Sequence, residues 1–120
     1  MELTITTTAD VVNHHLLAFN DADISEIMKD YTEDSSVITP DRDFNGLQEI
    51  TLFFEEAFKI LPKGATRLEL LRTSIKDDVA YIAWKAESPF VTIPGGTDTF
   101  ITRDGKIFIQ AVGIHVIPRN

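Results

Sequence analysis

The stretch Thr97–Ile117, TDTFITRDGKIFIQAVGIHVI, decides how the second half of this sequence folds. Two runs rich in β-branched and aromatic residues, TDTFITR and KIFIQAVGIHVI, flank the dipeptide Asp104-Gly105. An Asp-Gly pair favours the two-residue type I′ turn, in which both central residues adopt a positive φ. The stretch therefore predicts two antiparallel strands joined by a tight hairpin turn.

The predicted turn also indicates which side chains share a face of the hairpin. With Arg103 opposite Lys106, each outward step adds one pair, and Asp98 lies opposite Ala111. On this register Asp98 shares a mainly apolar face with Phe100, Ile107, Ile109, Ala111, Gly113 and His115. The other face is more polar and carries Thr97, Thr99, Arg103, Lys106 and Gln110. We therefore predict that Asp98 and His115 point towards the protein interior.

Asp98 is unusual in this position because aspartate is depleted in strands, where it competes for backbone hydrogen bonds. A part-buried aspartate is often a structural hydrogen-bonding group. Desolvation can instead raise its pKa and make it a general acid or base. The sequence leaves both interpretations open.

Helices are predicted before this hairpin. Three apolar patterns at helical spacing each begin with an N-cap residue that has a polar residue three positions later. These pairs are Thr7 with Asp10, Asp23 with Glu26, and Asn45 with Gln48. The second pattern continues to Tyr31, and the third ends at Pro62 and Gly64.

After Gly64 the sequence predicts strands. The segments TRLELLRTSI and VAYIAWKAES are separated by a tight turn at Asp77 and Asp78, and the link PFVTIPGG leads to the hairpin. One further short strand is expected at 37–39. Helices followed by a four-strand antiparallel meander predict an α+β fold, with the helices covering one face of a strongly bent sheet.

Composition narrows the class of protein. The 120 residues are 43% hydrophobic and 25% charged, which indicates one globular domain over residues 1–120. The net charge of −8 argues against nucleic acid and anionic membranes as partners. The absence of cysteine and of signal-peptide features in MELTITTTAD leads us to expect a soluble, cytoplasmic protein.

Metal and cofactor motifs are absent from the sequence. His14 and His15 are adjacent, and on a helix they project about 100° apart, so they cannot chelate one metal ion together. There is no HExxH, GxSxG, P-loop or GxGxxG motif. We therefore expect no metal and no cofactor.

Three stretches together resemble the nuclear transport factor 2-like superfamily, in particular its SnoaL-like and ketosteroid isomerase-like branch. They are VVNHHLLAFNDADISEIMKDYTEDSSVITP, FNGLQEITLFFEEAF and GTDTFITRDGKIF, and the resemblance covers nearly the whole chain. It implies a cone-shaped α+β barrel in which a curved antiparallel sheet wraps around helices and a deep pocket. It also implies a homodimer formed through the sheet. Because this fold supports several enzyme and binding functions, it does not by itself define the activity.

The resemblance also implies roles for individual residues. Ketosteroid isomerase uses one aspartate as general base, and a tyrosine with a protonated aspartate as oxyanion hole. Asp98 matches the protonated aspartate, and His15 matches the tyrosine. Thr39 occupies the position of the base, and because threonine cannot take a proton from carbon at neutral pH, steroid isomerisation is disfavoured. His115, which matches a pocket-lining aromatic residue, is our alternative candidate for the base.

Further residues are predicted to line the pocket. For the phenylalanines of the third helix, ordinary core packing is the alternative, and for Trp84 ligand contact and core packing are equally favoured. The predicted lining consists of Thr39, Phe54, Phe58, Trp84, Phe100, Ala111 and Gly113.

Three functions remain open at this stage. The first is a cofactor-independent isomerase, cyclase or hydrolase acting on a small apolar carbonyl or ring compound, with Asp98, His15 and His115 as catalytic residues. The second is a binding protein that holds a small molecule without chemistry. The third is a dimeric scaffold whose pocket is filled by its own side chains.

Overall fold

A computed structural model describes residues 6–119 of the chain. Met1–Ile5, on which the predicted lack of a signal peptide partly rests, lie outside the described residues, as does Asn120. In chain order the elements are α1 (Thr8–Asn20), α2 (Ile24–Met28), β1 (Ser36–Ile38), β2 (Asp43–Asn45), α3 (Gly46–Ile60), β3 (Arg67–Lys76), β4 (Val79–Glu87), β5 (Val91–Arg103) and β6 (Lys106–Pro118). The predicted α+β class is confirmed.

The predicted starts of the three helices are confirmed, although the capping contact at the third differs from the prediction. Thr7 forms a reciprocal capping box with Asp10 at the start of α1, and the Asp23 carboxylate accepts from the backbone N–H of Glu26 at 3.1 Å. Asn45 makes no side-chain cap at α3. Its backbone N–H instead donates to the Glu49 side chain at 2.9 Å, so this cap lies one residue beyond the expected Gln48.

Two helix and strand boundaries differ from the prediction. α2 ends at Met28 rather than continuing to Tyr31, which leaves Tyr31 in the link that leads to β1. β5 begins at Val91, so most of the predicted link PFVTIPGG is strand. β5 carries an irregular pairing between Thr92 and Gly95, and this accommodates proline and glycine within a strand.

The six strands form one open sheet in the order β2-β1-β6-β5-β4-β3. The meander of β3 to β6 is antiparallel as predicted. The sheet as a whole is mixed rather than antiparallel as the resemblance implied, because β1 runs parallel to β6. β2, which was not predicted, pairs with β1 and continues directly into α3. The sheet extension therefore places the start of α3 next to β1, where the Gly46 backbone N–H donates to the Ser35 carbonyl at 2.9 Å.

The hairpin turn is confirmed, but its predicted register was wrong beyond the second pair. Asp104 and Gly105 have φ values of 53° and 74°, as a type I′ turn requires. Thr102 pairs with Ile107 and Ile101 with Ile109, so Phe108 is an extra residue that forms a β-bulge. A bulge reverses the alternation of the strand that carries it, because one residue has no partner opposite. The faces predicted for β6 beyond Phe108 are therefore exchanged.

The helices cover the concave face of the sheet, where the main core lies. Side chains from every helix and from β6 meet there with at most 1% exposure, including Val12, Ile27, Ile50, Phe54 and Ile107. Within residues 6–119, no helix combines the length and apolar character needed to cross a membrane.

Candidate functional site

A cavity of about 600 Å³ lies between the concave face of the sheet and helices α1 and α3. Most of its wall is apolar, but four buried polar side chains contribute to it: His15, Trp84, Asp98 and Gln110. A mainly apolar concavity with a few convergent polar groups is the usual form of a small-molecule site. These four side chains define the candidate site.

Asp98 lies on β5 in the wall of this cavity, with 9% of its surface exposed. Burial raises the pKa of Asp98 to about 6, because a carboxylate loses hydration in an apolar environment. The nearby indole N–H of Trp84 and the side-chain amide of Gln110 offset part of this rise. Gln110 Nε2 donates to Asp98 Oδ2 at 3.2 Å, whereas Oδ1 has no hydrogen-bond partner among the described residues. Asp98 is therefore a carboxyl group that can exchange a proton close to neutral pH.

Trp84 reaches Asp98 because β5 carries a glycine opposite it. Trp84 on β4 pairs with Gly96, and a Cβ atom at Gly96 would lie 2.6 Å from the indole ring. Any larger residue at Gly96 would therefore displace the indole from its place beside the carboxylate.

Gln110 is a site residue that the sequence reasoning assigned to the wrong face. The bulge at Phe108 turns Gln110 inward, where it is 2% exposed. The Tyr31 hydroxyl donates to Gln110 Oε1, so Tyr31 joins the site through Gln110. The sequence carries no clear signal of this, because a glutamine is ordinary on the solvent-facing side of a strand and the residues beside Phe108 do not announce the bulge.

His15 lies on α1 at the cavity wall and is 2% exposed. Its ring contacts those of Phe100, Phe54 and Tyr31, with centroid distances of 5.2, 5.8 and 6.1 Å. Burial, with a smaller contribution from the charge of His14, lowers the pKa of His15 to about 4. Its Nδ1 has no hydrogen-bond partner among the described residues. His15 is therefore neutral at pH 7 and can offer a ligand hydrogen bonding but no charge.

Thr39 also lines the cavity, at its solvent-facing side. Its hydroxyl donates to the Arg42 carbonyl at 2.8 Å and accepts from the Arg42 backbone N–H at 3.1 Å. The hydroxyl is thus used to close the turn between β1 and β2. The position that the resemblance assigns to a base holds no acid or base.

Five other predicted residues lie outside the cavity wall. Ala111, Gly113 and His115 are on the opposite side of β6, because the bulge exchanges the faces of that strand, and His115 is exposed. Phe100 is fully buried behind the wall, and Phe58 packs against Phe19 at a ring distance of 5.0 Å beside the neighbouring small cleft. The predicted grouping of His115 with Asp98 was wrong. Of the predicted aromatic lining, Phe54 and Trp84 are in the wall.

No three His, Asp or Glu side chains within residues 6–119 are placed to hold a metal ion together. The buried polar groups that the described residues present to the cavity are the Asp98 carboxyl group, the neutral imidazole of His15, the Gln110 amide and the Trp84 indole N–H.

Known structures share this architecture at low sequence identity. A nuclear transport factor 2-like protein of unknown function from Cytophaga hutchinsonii matches with a TM-score of 0.76 and 16% identity, over 96% of this chain and 95% of that chain. A candidate polyketide cyclase from Sinorhizobium meliloti matches with a TM-score of 0.73 and 22% identity, over 87% and 94% of the two chains. A candidate ketosteroid isomerase from Kribbella flavida matches with a TM-score of 0.74 and 13% identity, over 90% and 77%.

No protein-family model matches the sequence, and no curated protein matches it significantly. The chain nevertheless has the nuclear transport factor 2-like fold that the sequence resemblance implied, because similar structures cover most of its length.

Proposed function

We propose that the protein binds a small, mainly apolar carbonyl or ring compound in the cavity and that Asp98 exchanges a proton with it, as in a cofactor-independent isomerase, cyclase or hydrolase. The observation that carries this proposal is a buried carboxyl group in the wall of an apolar cavity, with one oxygen that has no hydrogen-bond partner among the described residues. Unsatisfied buried polar atoms are uncommon in proteins and call for a functional explanation.

The position of the Asp98 pKa supports acid-base chemistry. With a pKa of about 6, Asp98 is mainly ionised at pH 7 and can accept a proton. Its protonated form is also a much stronger acid than an ordinary hydroxyl group, so it can return the proton at the same pH. A catalytic group is most effective when its pKa lies near the working pH. In an isomerisation or a cyclisation, the ligand proton would move to an Asp98 oxygen and return from it to a second position on the ligand, so no other reactant is consumed. In a hydrolysis, Asp98 would take the proton from a water molecule that adds to the ligand and would return it to the leaving group.

Ligand binding is tested with the intrinsic fluorescence of Trp84, the only tryptophan in the sequence. Because its indole lies in the cavity wall, an aromatic ligand such as β-naphthol or a ring ketone such as β-tetralone should change the emission in a saturable way. The matched control is Ala57→Trp, which blocks the cavity and should therefore abolish binding. Because this variant adds a second tryptophan, its ligand binding is read by competition with an environment-sensitive dye. Absence of saturable binding across a panel of such compounds would contradict the proposal.

Proton exchange is tested with β-tetralone in deuterium oxide, by following the loss of its activated C–H signal by proton NMR. We expect the protein to accelerate exchange and Asp98→Asn to reduce the acceleration by about 10²- to 10⁴-fold, the usual contribution of a positioned general base. Asp34→Asn, a change at an exposed loop carboxylate, should leave the rate unchanged. Equal rates for the protein and Asp98→Asn would exclude Asp98 as the exchanging group.

Binding without chemistry is the second candidate, and the state of Thr39 supports it. The hydroxyl of Thr39 closes a turn, and His15 is neutral, so neither residue gives Asp98 a second acid or base of ordinary strength within the described part of the chain. Saturable binding of the panel without any exchange above the Asp98→Asn level would favour this alternative.

The homodimer implied by the resemblance stays a prediction. Exposed apolar side chains on β3, among them Leu71 and Ile75, are available for contact with a second copy of the chain. Light scattering after gel filtration of the native protein and of Leu71→Glu would test it.

A further inference from the structure

Three side chains from separate parts of the chain form one hydrogen-bonded row that ends at Asp98. The Tyr31 hydroxyl donates to Gln110 Oε1, and Gln110 Nε2 donates to Asp98 Oδ2 at 3.2 Å. Tyr31 is 4% exposed and Gln110 2% exposed. Neither residue was needed for the proposed function, and both are polar groups buried at a cost that hydrogen bonding must offset.

The orientation of the Gln110 amide follows from this row. In the observed orientation, the amide oxygen faces a hydroxyl and the amide N–H faces a carboxylate. If the amide were flipped, its oxygen would face the Asp98 carboxylate, and the Tyr31 O–H would lose the only acceptor it has among the described residues. A buried donor without an acceptor is costly, so Tyr31 selects the orientation in which Gln110 donates to Asp98.

Tyr31 is suited to this task because it remains a donor at every working pH. Burial, with added repulsion from the charges of Asp98 and Asp30, raises the pKa of Tyr31 well above its usual value. The phenol therefore keeps its proton, and this O–H needs an acceptor, of which Gln110 Oε1 is the only one among the described residues.

We infer that Tyr31 and Gln110 are positioning residues that hold Asp98 in the carboxylate form required of a general base, because the Tyr31 hydroxyl fixes the Gln110 amide with its N–H towards Asp98. A hydrogen bond donated to a carboxylate stabilises its charged form, whereas a carbonyl oxygen in the same place would stabilise the protonated form. The resemblance implied a protonated, hydrogen-bond-donating aspartate at Asp98. The row Tyr31–Gln110–Asp98 reverses that role, so this chain has its base at Asp98 and none at Thr39.

The inference rests on the proposed function, since it takes Asp98 as the group that exchanges a proton with the ligand, but its test needs no ligand. The midpoint of Asp98 titration is measured by carbon-13 NMR of its carboxyl group, with Asp98→Asn used to assign the signal. Failure to bind any ligand would count against the proposed function and would leave this measurement valid.

The two informative variants are Gln110→Met, which removes the donated N–H with little change in length, and Tyr31→Phe, which removes only the hydroxyl. We expect Gln110→Met to raise the Asp98 midpoint by about one unit or more, the effect of losing a hydrogen bond to a charged group. Tyr31→Phe should raise the Asp98 midpoint by a smaller amount. Without the Tyr31 hydroxyl the Gln110 amide samples both orientations, so it donates to Asp98 for only part of the time.

Tyr81→Phe is the matched control, because Tyr81 is the only other tyrosine and lies on the outer side of β4. The midpoint of Asp98 titration in Tyr81→Phe should equal that in the native protein. Other charged or titratable groups that share the cavity are His15 and the exposed side chains of Asp41, Arg42 and Glu56, and all four are retained in each variant.

An unmoved or lowered midpoint in both variants would overturn the inference. Because Gln110→Met changes a fully buried residue, its fold is verified by the dispersion of its amide NMR spectrum. Tyr31→Phe, the milder change, decides the question if Gln110→Met does not fold. A purely structural role for Tyr31 would lower stability without moving the midpoint, so the two explanations give different results.

Discussion

His14 and His15 are neighbours in the sequence but occupy opposite electrostatic environments. His14 is partly exposed and lies between two carboxylates: its Nε2 is 2.8 Å from Glu26 Oε1, and its Nδ1 is 2.8 Å from Asp30 Oδ1. Hydrogen bonds to Glu26 and Asp30 raise the pKa of His14. His15 faces aromatic rings, and burial lowers its pKa to about 4. The same residue type is thus tuned in opposite directions by a rotation of one helical position.

The difference separates a structural region from a candidate functional one. In the His14 cluster, charges are paired across α1 and α2, and the Asp30 backbone also accepts from Ile107 at 2.7 Å. Burial raises the pKa of Asp30, and His14 offsets part of that rise. In the cavity, by contrast, Asp98 has no cationic partner among the described residues, and His15 is neutral. Paired charges stabilise a fold, whereas an unpaired buried carboxyl group retains reactivity.

The largest effect is expected from removing the aromatic environment that distinguishes His15 from His14. Phe100 is fully buried, and its ring centroid lies 5.2 Å from that of His15. Phe100→Ala should lower the free energy of unfolding by about 3–5 kcal/mol, because it leaves a cavity in a packed core. Urea denaturation measures it. Phe90→Ala, at a residue 54% exposed, is the control and should change stability by less than about 0.5 kcal/mol.

An intermediate effect is expected from His15→Phe, which should change how the free energy of unfolding depends on pH. The unfolded His15 titrates near 6.5 and the folded one near 4, so between these values the unfolded state binds a proton that the folded state does not. Acidification through this window therefore destabilises the native protein, by on the order of 3 kcal/mol in total. His15→Phe lacks this term.

The measurement is the difference in unfolding free energy between His15→Phe and the native protein, determined by urea denaturation from pH 7 to pH 4. Using the difference removes the opposite contribution of Asp98, whose raised pKa stabilises the folded state as pH falls below about 6. We expect the difference to grow in favour of the variant as pH falls. Parallel stability curves would contradict the low pKa of His15.

The smallest effect is expected from His14→Gln. The folded pKa of His14 is raised, so its contribution to stability is fully present below the unfolded value of 6.5 and is lost as pH rises through the folded pKa. Because the side chain is 36% exposed, solvent screening limits this contribution to at most about 1 kcal/mol. Thermal denaturation at a series of pH values should show a native advantage at pH 6 that vanishes at high pH. An advantage that grew with pH would show that charge pairing is not the cause.

The resemblance and the local patterns anticipated the fold well but the site only in part. The capping pair Thr7 and Asp10 and the turn at Asp104 and Gly105 depend on neighbouring residues, so they could be read directly from the sequence. Gln110 could not be assigned correctly, because its face depends on a bulge that the flanking residues do not announce. Tyr31 was recognised only as the end of a helical pattern, because its partner Gln110 is 79 positions away in the sequence.

The sequence by itself determined where the helices begin, where the hairpin turns, and that helices precede a long antiparallel meander. These features follow from hydrogen bonds and φ preferences that act within a few residues. Only the tertiary structure decided that β1 joins β6 in parallel, that the bulge at Phe108 brings Gln110 inside, and that His115 is left outside. It also decided the charges of His15 and Asp98, because a pKa depends on the desolvation and hydrogen bonding that distant segments provide once they pack together.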